Sequence, residues 1–115
     1  MAAADTTAFP GEVVTRALVR FVDLPLGAGK AALITLDNGH DHTKPNTLGP
    51  ASLLELDRAL DTAYGEPAVV AVCLSGKPFI LAAGADLNGV ALVTERGQGV
   101  EIARLGHRVF ARLGD

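Results

Sequence analysis

The amino-acid sequence predicts an α/β fold, in which two strands, a helix, a third strand and a final helix follow one another. Three observations predict it. Apolar residues alternate in the first segments, leucines recur at helical spacing in the middle, and a continuous apolar run comes between the two helical stretches. A strand–helix–strand order with a right-handed crossover gives a sheet covered by helices.

The first two segments predict an antiparallel hairpin. The stretch from Val13 to Val22 is rich in β-branched residues, Pro25–Gly29 is a turn, and the chain returns as a strand from Lys30 to Leu36. The turn is not a phosphate-binding loop. That motif needs a glycine where Leu24 stands, and a serine or threonine after the lysine.

The first helix follows a polar loop over 37–49. Pro50 suits the first helical position, and the sequence Gly65-Glu66-Pro67 ends the helix. One helix face is predicted to be buried by residues at three- and four-residue spacing: Leu53, Leu56, Leu60 and Ala63. The opposite, mostly wet face is predicted to carry Glu55, Arg58 and Asp61.

The second half of the chain is predicted to begin with a strand from Val69 to Leu74. Its apolar residues are continuous, which is typical of a strand covered on both faces. A short helix is expected near 87–92, and the glycines of 95–99 are expected to interrupt the helical pattern. A final amphipathic helix would bury Ile102, Leu105, Val109 and Leu113, and expose Arg104, Arg108 and Arg112.

Composition limits the classes of function. The 115 residues suffice for one domain, which we expect over 13–115 after a flexible leader over 1–12. A net charge of −3 without a basic stripe argues against nucleic-acid binding. No secretion signal or membrane-spanning stretch is evident. The single cysteine, Cys73, is expected to pack in the core, and a chain without a possible internal disulfide suits the cytoplasm.

The most informative segment is Lys77–Leu87, with the sequence KPFILAAGADL. Small residues follow a short apolar run, Gly84 permits backbone angles that other residues resist, and Asp86 can cap a following helix. Such a turn can direct backbone N–H groups at a developing negative oxygen, as an oxyanion hole does. An ordinary tight strand-to-helix turn is the alternative.

Four blocks in order carry a resemblance: AALITLDN, KPNTL, VVAVCLSG and FILAAGADL. From about Ala17 to its C-terminus, the chain resembles the N-terminal half of the crotonase (enoyl-CoA hydratase/isomerase) superfamily. The residues of two segments, KPNTL and KPFILAAGADL, are most similar to the hydratase part of multifunctional fatty-acid oxidation proteins. The resemblance implies an incomplete ββα spiral, which lacks a second oxyanion amide and the catalytic glutamates.

The resemblance also implies a site. The backbone amide of Ala85 would be the oxyanion donor, and the substrate would be bound at Lys44, Asn46, Ala83, Gly84, Asp86 and Leu87. Alternatives stay open for four of these residues. Lys44 can be a solvated loop lysine, and Asn46 can fix its own loop. Asp86 is expected to be a structural cap, and Leu87 can simply pack in the core. Pro45, between Lys44 and Asn46, departs from the residue that is more common in the family at this position.

Other titratable clusters fit chemistry less well. His40, Asp41 and His42 have no further convergent ligand, so we expect a polar loop and no metal. Glu95 and Glu101 follow the motif too closely in a charged surface pattern to serve as general bases. No separate cofactor is expected, because coenzyme A is part of the substrate.

Two hypotheses follow. The first is an enoyl-CoA hydratase (a lyase) or isomerase that acts once a C-terminal half completes it, and that is inactive as this chain alone. The second is a non-catalytic half-domain that binds acyl-CoA or completes a partner. In both, we expect exposed apolar surface, covered in a homo-oligomer or by a complementing half.

Overall fold

A computed structural model describes residues 12–40, 44–77, 81–84 and 96–114. The helices and strands, in chain order, are β1 (Arg16–Asp23), β2 (Lys30–Asp37), α1 (Pro50–Gly65), β3 (Val69–Ser75) and α2 (Arg96–Ala111). Short 3-10 turns cover Pro25–Gly27 and Arg112–Gly114. The α/β class is therefore confirmed. The short helix predicted near 87–92, residues 1–11 of the predicted leader and Asp115 lie outside the described residues.

The three strands form one mixed sheet in the order β1-β2-β3. β1 and β2 pair antiparallel from Arg16 opposite Asp37 to Asp23 opposite Lys30, which confirms the hairpin. β3 lies parallel to β2 because α1 carries the chain across the sheet. The starts of β2 and β3 lie close together at Gly29. This residue has a φ of +112°, and a Cβ atom there would lie 2.8 Å from the Ala68 carbonyl oxygen, so the position requires glycine.

The core lies between the sheet and the two helices. β2 supplies Ala32, Ile34 and Leu36 from alternate positions, as expected for one face of a strand. They pack with the predicted apolar face of α1 and with α2, where the buried residues are Leu56, Ala59, Leu60, Ala63 and Val109. Leu105 and Leu113 pack against this cluster. Pro50 begins α1 and Gly65 ends it, as predicted.

The final helix corrects two expectations. It begins at Arg96, so the glycines in its first turns do not interrupt it. A side chain on Gly97 would contact nothing within 4 Å, so this position is open. Arg104 and Arg108 are exposed as expected, but Arg112 is partly buried. It pairs with Asp57 and Asp61 of α1, because the segment that ends α2 lies against α1.

The N-terminus of α1 is capped by a residue far away in sequence. Gly49 at the N-cap position has no side chain to offer, and the first turn contains no acidic residue. The Glu12 carboxylate instead accepts hydrogen bonds from the backbone N–H of Ala51 at 3.3 Å and of Ser52 at 3.1 Å. The Ser52 hydroxyl donates to Glu12 and accepts from the buried Thr15 N–H at 2.9 Å. The cap therefore joins α1 to the entry of β1.

The second face of the sheet is open in the described structure. Both helices pack on the first face, and the other carries apolar side chains exposed to solvent. We call this surface the open face and define it by Leu18, Val22, Ala71 and Cys73. Leu18 is 43% exposed and Val22 is 41% exposed. The prediction that β3 is covered on both faces is therefore wrong for this structure, and Cys73 is exposed rather than packed in the core.

Neither of the described helices has the length and apolar character needed to cross a bilayer.

Candidate functional site

The predicted oxyanion turn runs beside the loop that carries Asn46. The backbone N–H of Ala83 donates to the Asn46 carbonyl at 2.7 Å, and that of Leu48 donates to the Gly84 carbonyl at 2.8 Å. The Asn46 side chain adds a third bond from Nδ2 to the Leu81 carbonyl at 2.9 Å. Residues 46–48 and 81–84 are therefore held side by side, although 35 residues separate Asn46 from Leu81.

Asn46 is fully buried, and its side-chain amide bonds entirely within the protein. Besides Leu81, Nδ2 donates to the Leu36 carbonyl at 2.8 Å, and Oδ1 accepts from the Asn38 backbone N–H at 3.0 Å. Both amide protons and the carbonyl oxygen are thus used. These bonds attach the side chain to three backbone groups of the protein, and the role of Asn46 toward a ligand stays a prediction.

Gly84 adopts a φ of +89°. This region disfavours every residue with a Cβ atom, so the turn needs glycine for its backbone angle. Space is not the reason, because a Cβ placed there would meet nothing within 4 Å. The expectation that Gly84 permits an unusual angle is confirmed.

Ala83 is exposed, but its N–H group is already bonded to the Asn46 carbonyl. Its amide is therefore not a free donor for a ligand. Ala85, Asp86 and Leu87 lie outside the described residues, so their predicted roles stay predictions.

Lys77 organises the loop that precedes Asn46. Its ammonium group donates to Asn38 Oδ1 at 2.7 Å, the His40 carbonyl at 2.9 Å and the Lys44 carbonyl at 2.6 Å. The Asn38 side-chain amide also donates to the carbonyls of Lys44 and Pro45. Sequence reasoning missed this role for Lys77, because its partners lie 33–39 residues earlier and leave no local pattern.

The other predicted site residues differ in position. Lys44 is exposed, which suits either a phosphate contact or a solvated lysine. His40 is described, whereas Asp41 and His42 lie outside the described residues. Over the part of the chain that is described, no three His, Cys, Asp or Glu side chains converge as metal ligands. Glu101 pairs with Arg104 on the exposed side of α2, and Glu95 lies outside the described residues.

Two known proteins are similar to this chain. A protein of Thermus thermophilus with the provisional name enoyl-CoA hydratase is 34% identical over an alignment of 91 residues, and the match covers 68% of this chain and 36% of that protein. The structure of Pseudomonas aeruginosa DspI superposes with a TM-score of 0.64 at 24% identity, covering 92% of this chain and 38% of DspI. No family model matches the sequence.

The fold and the turn define an α/β protein with a mixed sheet, a helical crossover and a glycine-dependent turn after the third strand. The superposition on DspI shows the fold alone, and the similarity to the Thermus protein confirms the resemblance of the chain to the crotonase superfamily. The chain spans little more than a third of the length of each of the two similar proteins.

Proposed function

We propose that this chain is the N-terminal part of an enoyl-CoA hydratase/isomerase-type protein, that its sheet is the first part of a ββα spiral, and that it works in the cytoplasm. The observation that carries the proposal is the turn at 81–84. Three hydrogen bonds hold it against residues 46–48, and it leads through the positive φ of Gly84 to the small residue Ala85. A fixed turn of this kind suits a preorganised amide donor.

The chemistry proposed for Ala85 depends on its backbone. When an enoyl thioester is attacked by water, or loses a proton, its carbonyl oxygen becomes negative. A donor already directed at that oxygen lowers the barrier, and loss of one such donor raises it by about 2.7–4 kcal/mol. This chain would supply one donor. The second donor and the glutamates that move protons would come from a complementing C-terminal half, so the chain alone is expected to be inactive.

Substrate binding would use the exposed side of the same loops. Lys44 would bind a phosphate of coenzyme A, and its exposure and the point charge of its ammonium group support this role. Gly84 and Leu87 would border the thioester, and Asp86 would cap the following helix. Asn46, which is buried, would contribute by holding the turn in place. Coenzyme A is part of the substrate, and no separate cofactor is proposed.

The binding proposal is tested by calorimetric titration of the chain with butyryl-CoA, with Ala85→Asp as the disrupting variant. A carboxylate beside the carbonyl oxygen opposes negative charge there. Ala28→Asp, the same change on the exposed turn after β1, is the matched control. We expect Ala85→Asp to abolish binding without loss of circular-dichroism signal, and Ala28→Asp to bind as the unaltered chain does. Equal affinity in both variants would contradict the oxyanion role.

The catalytic proposal is tested on the protein as its native host makes it. Intact mass comes first, because a mass far above 11.8 kDa would identify this chain as one part of a longer enzyme. Hydration is then followed through loss of the ultraviolet absorbance of a conjugated enoyl thioester. We expect activity in the longer protein and none in the 115-residue chain. A longer protein that binds acyl-CoA without hydrating or isomerising it would refute the enzyme proposal.

The open face favours a second candidate function, a non-catalytic half-domain that completes a partner or a second copy. Leu18 and Val22 place exposed apolar area on a face that no described element covers. Analytical ultracentrifugation of the chain should show association that the double variant Leu18→Lys with Val22→Lys abolishes. Arg20→Lys, on the same face of β1, is the control that keeps the charge. A monomer at every concentration would count against this candidate.

A further inference from the structure

We propose that Asn46 is a positioning residue, which fixes the turn at 81–84 on the end of the central strand β2. The consequence for chemistry rests on the proposed function above. The attachment of the turn to β2 does not depend on that function, because it consists of hydrogen bonds within the described structure.

The two elements that Asn46 joins differ in how firmly they are held. Leu36 belongs to β2, whose neighbours on both sides make it the most constrained strand of the sheet. Leu81 belongs to the turn, which is largely exposed. The Asn46 side-chain nitrogen donates to the carbonyls of both residues, at 2.8 Å and 2.9 Å. The Asn46 side chain therefore links the turn directly to β2.

The backbone of the same residue completes the attachment. The Asn46 carbonyl accepts from Ala83, and two residues later Leu48 donates to Gly84. Any displacement of Asn46 would thus shift the carbonyl of Leu81 and the amide of Ala83 together. The Gly84 carbonyl would shift as well, because it accepts from the Leu48 N–H two residues after Asn46.

The most informative variant is Asn46→Asp, which has nearly the same shape. It keeps an oxygen for the Asn38 N–H, but it faces the Leu36 and Leu81 carbonyls with an acceptor in place of a donor. Asn38→Asp is the matched control. It makes the same chemical change in the same loop, at a side chain that bonds to Lys77, Lys44 and Pro45 and not to the turn.

The first experiment is amide hydrogen exchange by NMR. In the unaltered chain we expect protected backbone amides at Ala83 and Leu48, and protected Nδ2 protons on Asn46. Asn46→Asp should speed exchange at Ala83 and Leu48 at least tenfold and leave the β1–β2 amides within twofold. Asn38→Asp should leave Ala83 and Leu48 within twofold. Rapid exchange of the Asn46 Nδ2 protons in the unaltered chain would overturn the inference, even where Asn46→Asp does not fold.

The second experiment separates positioning from mere stability. It uses the longer protein from the native host, or this chain where that is the product, with two probes: coenzyme A, and acetoacetyl-CoA, whose enolate places negative charge on the thioester oxygen. Asn46→Asp should weaken acetoacetyl-CoA binding at least tenfold and coenzyme A binding less than twofold. Equal weakening of both would overturn the role in the oxyanion turn. Failure of the unaltered protein to bind either probe would refute the proposed function, and the exchange experiment would still decide the geometry.

Discussion

The two faces of the sheet are made from similar residues and have opposite surroundings. On the helix-covered face, Ile34 is fully buried and Leu36 is 2% exposed. On the open face, Leu18 and Val22 are about as apolar and are well exposed. Alternation along a strand assigns residues to faces, but it does not say whether a second layer covers each face. Among the described residues, the helices cover one face of the sheet, whereas the open face leaves apolar side chains in contact with solvent.

The largest test of this difference compares Leu36→Ala with Leu18→Ala. Leu36 is buried in the core, so its truncation should lower the free energy of unfolding by about 2–5 kcal/mol. Leu18 already has much of its surface in water, so the same change should lower it by less than about 1 kcal/mol. Urea unfolding at two protein concentrations measures both. If Leu18→Ala lowers the free energy of unfolding as much as Leu36→Ala does at both concentrations, the open face is covered in solution.

A buried polar contact gives the next largest effect. Ser52→Ala removes the acceptor of the buried Thr15 N–H, and an unsatisfied buried donor costs about 1–3 kcal/mol. Ser75→Ala, on the same side of the sheet as the open face, should change stability by less than about 0.5 kcal/mol. Thermal unfolding of the two variants provides the comparison. A Ser52→Ala protein as stable as Ser75→Ala would show that water replaces the serine hydroxyl.

The interface between the two helices should contribute less. Arg112→Met keeps the aliphatic part of the side chain and removes the pairs with Asp57 and Asp61, at an expected loss of about 1 kcal/mol. Arg104→Met breaks only the exposed pair with Glu101, so its effect should be close to zero. Unfolding in low and high salt distinguishes them, since the Arg112 difference should shrink as salt screens the charges. Identical salt dependence in both variants would contradict this account.

The smallest effect is expected at the end of the sheet, where both faces meet water. A hydrogen bond and the charge of Asp23 raise the pKa of Lys30 above its ordinary value of 10.5. The pair therefore stabilises the fold fully below that value, and its contribution is lost as pH rises through the folded-state pKa. The difference in melting temperature between the unaltered chain and Lys30→Met should be constant at neutral pH and close at strongly alkaline pH. Asp23→Asn should remove the same dependence.

The parts of the fold that depend on local sequence were predictable. The hairpin follows from its turn and β-branched strands, and the first helix follows from Pro50 and from leucines at regular spacing. The exposure of one face of β3 in the described structure was not predictable, because a continuous apolar run looks the same whether one or both faces of a strand are covered. The position of Arg112 was not predictable either, since it depends on how two helices cross.

The site divides in the same way. The positive φ of Gly84 was expected from its residue type and neighbours. The burial of Asn46 and its bond to the Leu81 carbonyl could not be predicted, because that partner lies 35 residues away and leaves no local pattern. The contacts of Lys77 left no trace in the sequence, since three separate loop oxygens meet only after β3 is in place.

The cap on α1 has a practical consequence for anyone who shortens the protein. A boundary placed just after Glu12 would look harmless, because it keeps every strand and helix described above. It would nevertheless take away the carboxylate that offsets the positive end of the α1 dipole, and it would leave two backbone N–H groups and the Ser52 hydroxyl without their acceptor. A truncated version should therefore begin at or before Glu12, and a synthetic peptide of residues 50–65 should be poorly helical in water unless an acidic residue is added at its start.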